Sequence, residues 1–337
     1  MALKSKDIGL NEWTNAFYTN FSNLKGPDKL KAFFLKVFRQ IPILDKKVEC
    51  WVIKHTIKRI NQLQYDCIVA FQEKMATEFC QSFPVNNKIA WMHCDYPKAY
   101  PRSEKDLEIY DNYNHIVCVS KATRESFLDY YPRLTARTVA IYNLFDAASI
   151  KAKALCTIDD KRFDSSEFTI ISVGRLNRVK RFDLIPQIAH KLLEKGAKFR
   201  WFILGQPYND EEENRMKDAI NEYGNDDRVV YLGGKDNPYP YFRAANLLVS
   251  TSESEACPMI FNEAKLLGLP IVSTDFPSAY EFINEPSEGR ISSIDMMADS
   301  IYSVMKDILS GIVNVPPFNA SESNRKIIAE ISNLLDS

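Results

Sequence analysis

The stretch LLVSTSESEACPMIFNEAKLLGLPIVS, residues Leu247–Ser273, reads as strand, loop, helix and strand in succession. Leu247–Ser250 is a short apolar run of strand-forming residues, and Ile271–Ser273 is another. Between them Pro258–Leu267 has helical apolar spacing, with a proline suited to the first helical position. A strand, a crossover helix and a second strand make a right-handed unit with parallel strands. Working outward, strands are predicted at Thr169–Val173, Phe202–Leu204 and Val229–Leu232, with helices at Phe182–Lys195, Asp210–Tyr223 and Asp295–Leu309. The first half repeats the alternation less cleanly. Its strand candidates are Cys67–Phe71, Ile89–His93, His115–Val119 and Val139–Tyr142, with a helix at Lys121–Tyr130 opened by Ser120. The chain is therefore expected to be α/β, with two doubly wound parallel sheets.

Composition bounds the function. With 337 residues, 45% hydrophobic and 26% charged, the chain has the make-up of a globular protein of two ordinary domains. Its 43 basic and 44 acidic residues nearly cancel, which argues against a dedicated nucleic-acid binder. No apolar run reaches the roughly 18 residues of a membrane helix, and the start MALKSKDIGLNEW lacks a signal-peptide core. Seven cysteines without a CxxC pair read as reduced thiols, and four scattered histidines do not suggest zinc. Only Gly9 and Gly26 precede residue 170, whereas nine glycines follow it, so the two halves differ in loop chemistry.

A polar stretch at Ala147–Glu167 marks the boundary between domains 1–160 and 161–312, and 313–337 is expected to add a C-terminal helix packing back on the first domain. From Leu24 to Asn61 there are ten Lys or Arg against three Asp or Glu, with Leu30, Phe33, Phe34, Val37, Phe38 and Ile41 on one helical face. This segment is either a solvated basic face over a packed stripe or an interfacial helix on anionic lipid.

Chemistry concentrates in two clusters. In the first, a helix N-terminus follows a parallel strand directly, where free N–H groups and the helix dipole attract anions. Glu255 precedes that helix and Glu263 lies about five residues inside it, a separation suited to hydroxyls on either side of a diphosphate. Alone, these carboxylates read equally well as capping or surface groups. The second cluster is Gly174-Arg175-Leu176-Asn177-Arg178-Val179-Lys180, where a small residue at a strand end is followed by cations able to clamp phosphate oxygens. By itself that too could be a basic surface turn.

In this order and spacing the two clusters resemble the family 4 glycosyltransferases, which have the GT-B fold. The similarity runs through SVGRLNRVKRFDLI, FILG (Phe202–Gly205), VVYLGGKDNPYPYFRAANLLVSTS (Val229–Ser252) and EACPMIFNEAKLLGLPIVSTDFPSAYEFI (Glu255–Ile283). It looks most like bacterial enzymes of capsule, exopolysaccharide or lipopolysaccharide assembly. The resemblance implies two Rossmann-like domains facing across a cleft and a retaining hexosyltransferase using a nucleotide sugar, most commonly a UDP-sugar. It implies that Arg175 and Lys180 meet the donor diphosphate, that Glu263 holds the ribose hydroxyls, and that Glu255 holds those of the transferred sugar. Gly174 and the amides of Met259 and Ile260 would face the diphosphate, while Gly234, Lys235, Asn237 and Tyr239 would border the base. KIAWMHCDYP places His93 at a strand end, as the family places a histidine near the donor sugar, with Asp95 on the acceptor side.

The family's opening strand and glycine-rich loop have no counterpart before Trp51, so the first domain is expected to lack them. The sequence contains no Asp-x-Asp, so metal-independent transfer without a cofactor is expected, as is a cytoplasmic place at the inner face of the membrane near a lipid-linked glycan acceptor. The absence of a G-x-G-x-x-G loop disfavours a nicotinamide dehydrogenase. Alternatives are a nucleotide-sugar-binding pseudoenzyme or partner subunit and a sugar-nucleotide epimerase.

Overall fold

The computed structural model describes residues 65–163, 167–224, 227–284 and 286–336. Val69–Gln81 together with Asn87–Ser337 form one compact unit, which contains every residue of the site. Met1–Ile68 with Ser82–Asn86 form another, of which 65–68 and 82–86 are described. The basic segment 24–61 and the expected lack of an opening strand and glycine loop fall outside the described residues.

Among the described residues ten strands build two sheets. The first sheet comprises β1 (Cys67–Ala70), β2 (Asn87–Met92), β3 (His115–Cys118) and β4 (Thr138–Ala140), in that order. The second comprises β5 (Thr169–Val173), β6 (Arg200–Leu204), β7 (Val229–Gly233), β8 (Leu247–Ser250), β9 (Ile271–Thr274) and β10 (Gly289–Ser292), ordered β10-β9-β8-β5-β6-β7. All pairings in the second sheet are parallel, and the order reverses between β5 and β8, so this half is doubly wound as expected. Among the described residues the strands of the first sheet follow chain order.

The second sheet is buried on both faces, which explains its unbroken apolar strands. Successive strand residues point to opposite faces. Ile170, Trp201, Ile203, Leu247 and Val249 pack under the helices Ile185–Glu194 and Met297–Leu309. Ile171, Phe202, Leu204 and Leu248 face Phe242, Phe261 and Phe276 on the other side. In the first half the buried rings of Tyr96, Tyr110, Phe127 and Tyr131 form one cluster, with Phe127 at 5.2–5.5 Å from the other three. Tyr96 donates its hydroxyl to Asp106 at 2.8 Å, so the polar end of a buried ring is satisfied.

Several expectations shift. The polar boundary is shorter than 147–167, because Ala147–Lys153 is helical, opened by Asp146, which accepts from Ser149 N at 2.9 Å. Pro258 stands one place earlier than expected, at the N-cap of the helix Met259–Leu266. β10 and the short helices Met75–Cys80, Tyr96–Ala99, Glu104–Tyr110, Tyr239–Ala244 and Ala279–Phe282 escape the sequence reading, being too short for a visible period. The last helix, Ala320–Asp336, touches both halves of the chain. Its Asn324 accepts from Phe145 N at 3.4 Å and donates to Phe145 O at 2.8 Å, and Leu334 O accepts from Asn87 at 3.1 Å.

Candidate active site

The site forms at the carboxyl ends of β5 and β8, on the two sides of the reversal, where open parallel sheets leave a crevice. The chain leaves β5 at Gly174 and passes close to Gly205 at the end of β6. A Cβ on Gly205 would stand 1.7 Å from the Gly174 carbonyl oxygen, so no other residue fits there without moving the backbone. Lys180 folds back across Gly174, where a Cβ would meet its Cε at 3.1 Å. Asn177 accepts from Lys180 N at 3.0 Å and closes the turn Arg178–Lys180. Arg181 then adopts a left-handed conformation with φ of 49°, uncommon for a residue with a side chain. Two bonds dock this turn on the loop after β8. Thr251 donates its hydroxyl to Lys180 O, and Glu253 N donates to Val179 O, each at 2.8 Å.

Lys180 Nζ donates to Glu255 Oε1, and the pair is mostly buried, with side-chain exposures of 20% and 18%. Ser252 also donates to Glu255 Oε1 at 2.8 Å, while Ser278 Oγ donates to the Glu255 carbonyl at 2.7 Å. The structure therefore joins the cation and carboxylate that the sequence placed in separate clusters. The N–H groups of Met259 and Ile260 are in the first turn of the helix, where no intrahelical acceptor exists. Glu263 lies a little over one turn further on. Burial pushes its carboxyl above the ordinary carboxylate value, only partly offset by Tyr239, whose hydroxyl donates to Oε1 at 3.3 Å. Tyr239 is itself raised to about 12, first by burial and then by the Glu263 charge, so it remains a donor at neutral pH.

Arg175 is exposed and has no ion-pair partner among the described residues. Gly234 lies under Gln206. Lys235 donates to Asp160 at 2.8 Å, and Asp160 is held far below the ordinary range, chiefly by Arg162. Asn237 donates to Lys153 O at 2.9 Å and accepts from Tyr239 N at 3.3 Å. So Lys235 and Asn237 tie their loop to the segment joining the two sheets.

His93 stands just past the end of β2. Its ring packs on Phe71 at 4.5 Å, and burial lowers its pKa despite the opposing charge of Glu73. The buried Glu73 accepts from His93 N and, at 2.9 Å, from Cys94 N. Asp95 is engaged on both oxygens, by Ser126 Oγ at 2.7 Å and by Ser254 Oγ at 3.4 Å. Burial pushes Cys257, between Glu255 and the helix, up to about 11, so at neutral pH it is a thiol and no nucleophile. The sequence reading missed Glu73, Ser252, Ser254, Ser278 and Glu281. Ser252 and Ser254 sat inside the quoted cluster, but nothing in local spacing singles out Glu73.

Two parallel α/β sheets, of four and six strands, give the chain the GT-B fold. Residues 157–311 match the family model of Glycosyl transferases group 1. An uncharacterized glycosyltransferase of Methanocaldococcus jannaschii is 24% identical over 166 residues, covering 48% of this chain and 40% of the relative. The N-acetylgalactosamine-N,N'-diacetylbacillosaminyl-diphospho-undecaprenol 4-alpha-N-acetylgalactosaminyltransferase of Campylobacter jejuni is 26% identical over 202 residues, covering 60% and 52%. The chain thus spans about half the length of these relatives or less. HepE of Anabaena, solved in complex with UDP and glucose, superposes with a TM-score of 0.65 at 17% identity, covering 85% of this chain and 82% of HepE.

Proposed function

We propose that this protein is a retaining, metal-independent glycosyltransferase that moves a hexose from a UDP-sugar to a growing, lipid-linked surface polysaccharide. The observation that carries the reading is the convergence of Lys180, Glu255 and the Met259–Ile260 amides at one strand end, with Glu263 behind them. Glu255 and Lys180 pair with each other. A diphosphate reaching the helix N-terminus competes for that ammonium, and Glu255 is then free to accept from hydroxyls of the transferred sugar. Arg175, exposed and without an ion-pair partner among the described residues, adds a second cation. Glu263 and Tyr239 together offer an acceptor and a donor to the ribose hydroxyls.

In the transfer itself the bond between the anomeric carbon and the β-phosphate oxygen breaks. The acceptor oxygen bonds to the same face of that carbon, and the acceptor proton passes to the leaving phosphate. Lys180, Arg175 and the helix dipole stabilise the charge that grows on the diphosphate. His93, neutral at pH 7 because burial lowers its pKa, can hold a sugar hydroxyl without adding charge. The UDP-glucose ligands of HepE and the undecaprenol-linked substrate of the Campylobacter relative support the donor and acceptor classes.

Calorimetric titration with UDP, GDP and their sugars, for wild type and Glu263→Ala, tests this. Micromolar binding of UDP that the variant loses is expected. Absence of nucleotide binding by the wild type would overturn the reading. Binding without transfer to any offered acceptor would instead favour a nucleotide-sugar-binding subunit.

A further inference from the structure

The hydrogen bonds of the donor loop and of the histidine loop close into a ring that passes through both halves of the molecule. From Ser254, beside Glu255, the path goes to Asp95 Oδ2 at 3.4 Å. Asp95 Oδ1 accepts from Ser126 at 2.7 Å, and Ser126 lies on the helix Lys121–Tyr130 of the first half. At the N-terminus of that helix, Glu281 of the second half accepts from Lys121 N at 2.9 Å and from Ala122 N at 2.7 Å. Glu281 begins the return. Three residues before it, Ser278 donates to the Glu255 carbonyl at 2.7 Å, back on the donor loop. Tyr142, between the sheets, donates to Glu281 Oε2 at 2.5 Å, and Lys98 adds a bond of 3.5 Å to Glu253 O.

Physical reasons make this more than a set of surface contacts. Glu281 brings a full negative charge to a helix N-terminus, where the dipole and two orphan amides favour it. The helix already has its own cap, since Ser120 accepts from Thr123 N at 3.1 Å, so Glu281 is not needed to open it. The carboxylate instead ties this rigid element to the opposite half. Tyr96, one residue after Asp95, is locked in the aromatic cluster against Phe127 of the same helix at 5.5 Å. The histidine loop and the helix therefore move together, and any opening between the halves must break bonds at both Asp95 and Glu281.

We propose that Asp95 and Glu281 are positioning residues which, through the helix Lys121–Tyr130, hold His93 and the Glu255 loop at their working separation. The role assigned to His93 and Glu255 rests on the function proposed above; the mechanical ring does not. Asp95 accordingly acts through Ser126 and Ser254.

Hydrogen–deuterium exchange on the full chain without ligand tests the ring directly, in wild type, Asp95→Asn, Glu281→Gln and Ser278→Ala. A Ser300→Ala control removes a buried serine pair, 2.9 Å from Ser292, that is outside the ring. Amides of Ser252–Cys257 and His93–Lys98 should exchange about three- to tenfold faster in each ring variant and stay unchanged in the control. The double variant Asp95→Asn with Glu281→Gln should add little to either single one, because a ring once cut is open. Unchanged exchange at Ser252–Cys257 in Glu281→Gln, or effects that simply add, would overturn the proposal. Should Glu281→Gln fail to fold, Ser278→Ala cuts the same ring without removing a charge. Calorimetry with UDP separates the two claims. Nucleotide affinity within about threefold of wild type, with a fall in turnover, is expected of the ring variants. A wild type that binds no UDP sinks the functional reading and leaves the exchange result standing.

Discussion

Glu263 shows what a single carboxylate costs a fold and contributes to a site. Burial raises its pKa above the ordinary 4.5, so the ionised form is disfavoured in the folded chain. A raised carboxyl stabilises the fold at pH below its unfolded value and loses that contribution as the pH rises through the folded one. At pH 7 the ionised Glu263 is therefore a burden on the fold. Glu263→Gln should raise Tm at pH 7, and the gain should disappear as the pH falls below the raised value. The same variant should bind UDP about ten- to hundredfold more weakly, since a neutral amide replaces a charged acceptor. Titrating UDP into wild type across acid pH should show affinity falling at a pH above 4.5. A Tm unchanged by Glu263→Gln at pH 7 would refute the burial account. His93 has the opposite sign. Its pKa lies below 6.5, so turnover should be flat through neutrality and fall off in an acid limb below 6.5. His93→Ala should lower the plateau and remove that limb from the pH–rate profile.

At the scale of elements, the strand ends of β5 and β6 are tied by backbone proximity, and side chains play little part. With a Cβ at 1.7 Å from Gly174 O, Gly205→Ala must displace one of the two loops. Overpacking of this kind costs about 1–3 kcal/mol, or about 2–4 °C of Tm for each kcal/mol in a domain of this size. Because Gly174 carries Lys180 across it, the displacement should also abolish UDP binding. Gly196→Ala, with open space at its Cβ but a left-handed φ of 77°, should lower Tm without touching affinity. Equal binding by both variants would show that the close approach does not position the site. This contrast also marks what could be read from sequence. Thr169–Val173, Leu247–Ser250 and the helices Lys121–Tyr130 and Asp210–Tyr223 were legible to the residue, because unbroken apolar strands and clear caps announce them. Lys180 and Glu255 were legible as residue types, but their pairing spans 75 positions and leaves no local trace. Glu73 and Glu281 were opaque as site residues for the same reason. Each acts on backbone amides of a distant strand end or helix start, a role that any carboxylate in any loop could have.

For the molecule as a whole, the segment after β4 and the helix Ala320–Asp336 connect the two sheets. Phe145 packs with Ile150 and Ala320, with Met259 and Leu266 of the donor-site helix against them, and stacks on Phe318 at 5.5 Å. Asn324 pairs with both the N–H and the carbonyl of Phe145, as a neighbouring strand would. The last turn of the helix then reaches Asn87 at the start of β2. A side chain that satisfies two backbone groups, in a helix touching both halves, couples their unfolding. The wild type should therefore melt in one transition, with calorimetric and van't Hoff enthalpies in agreement. Asn324→Ala leaves both Phe145 groups without their partner, at about 1–3 kcal/mol, and frees the helix from the joint. It should split the single transition into two, the first-sheet half melting at lower temperature. Substituting Lys326 instead, which lies on the same helix and pairs with Glu322 on an exposed face, should leave one transition and a Tm within about a degree of wild type. Two transitions already present in wild type would show that the sheets are thermodynamically independent and that the helix merely lies across them.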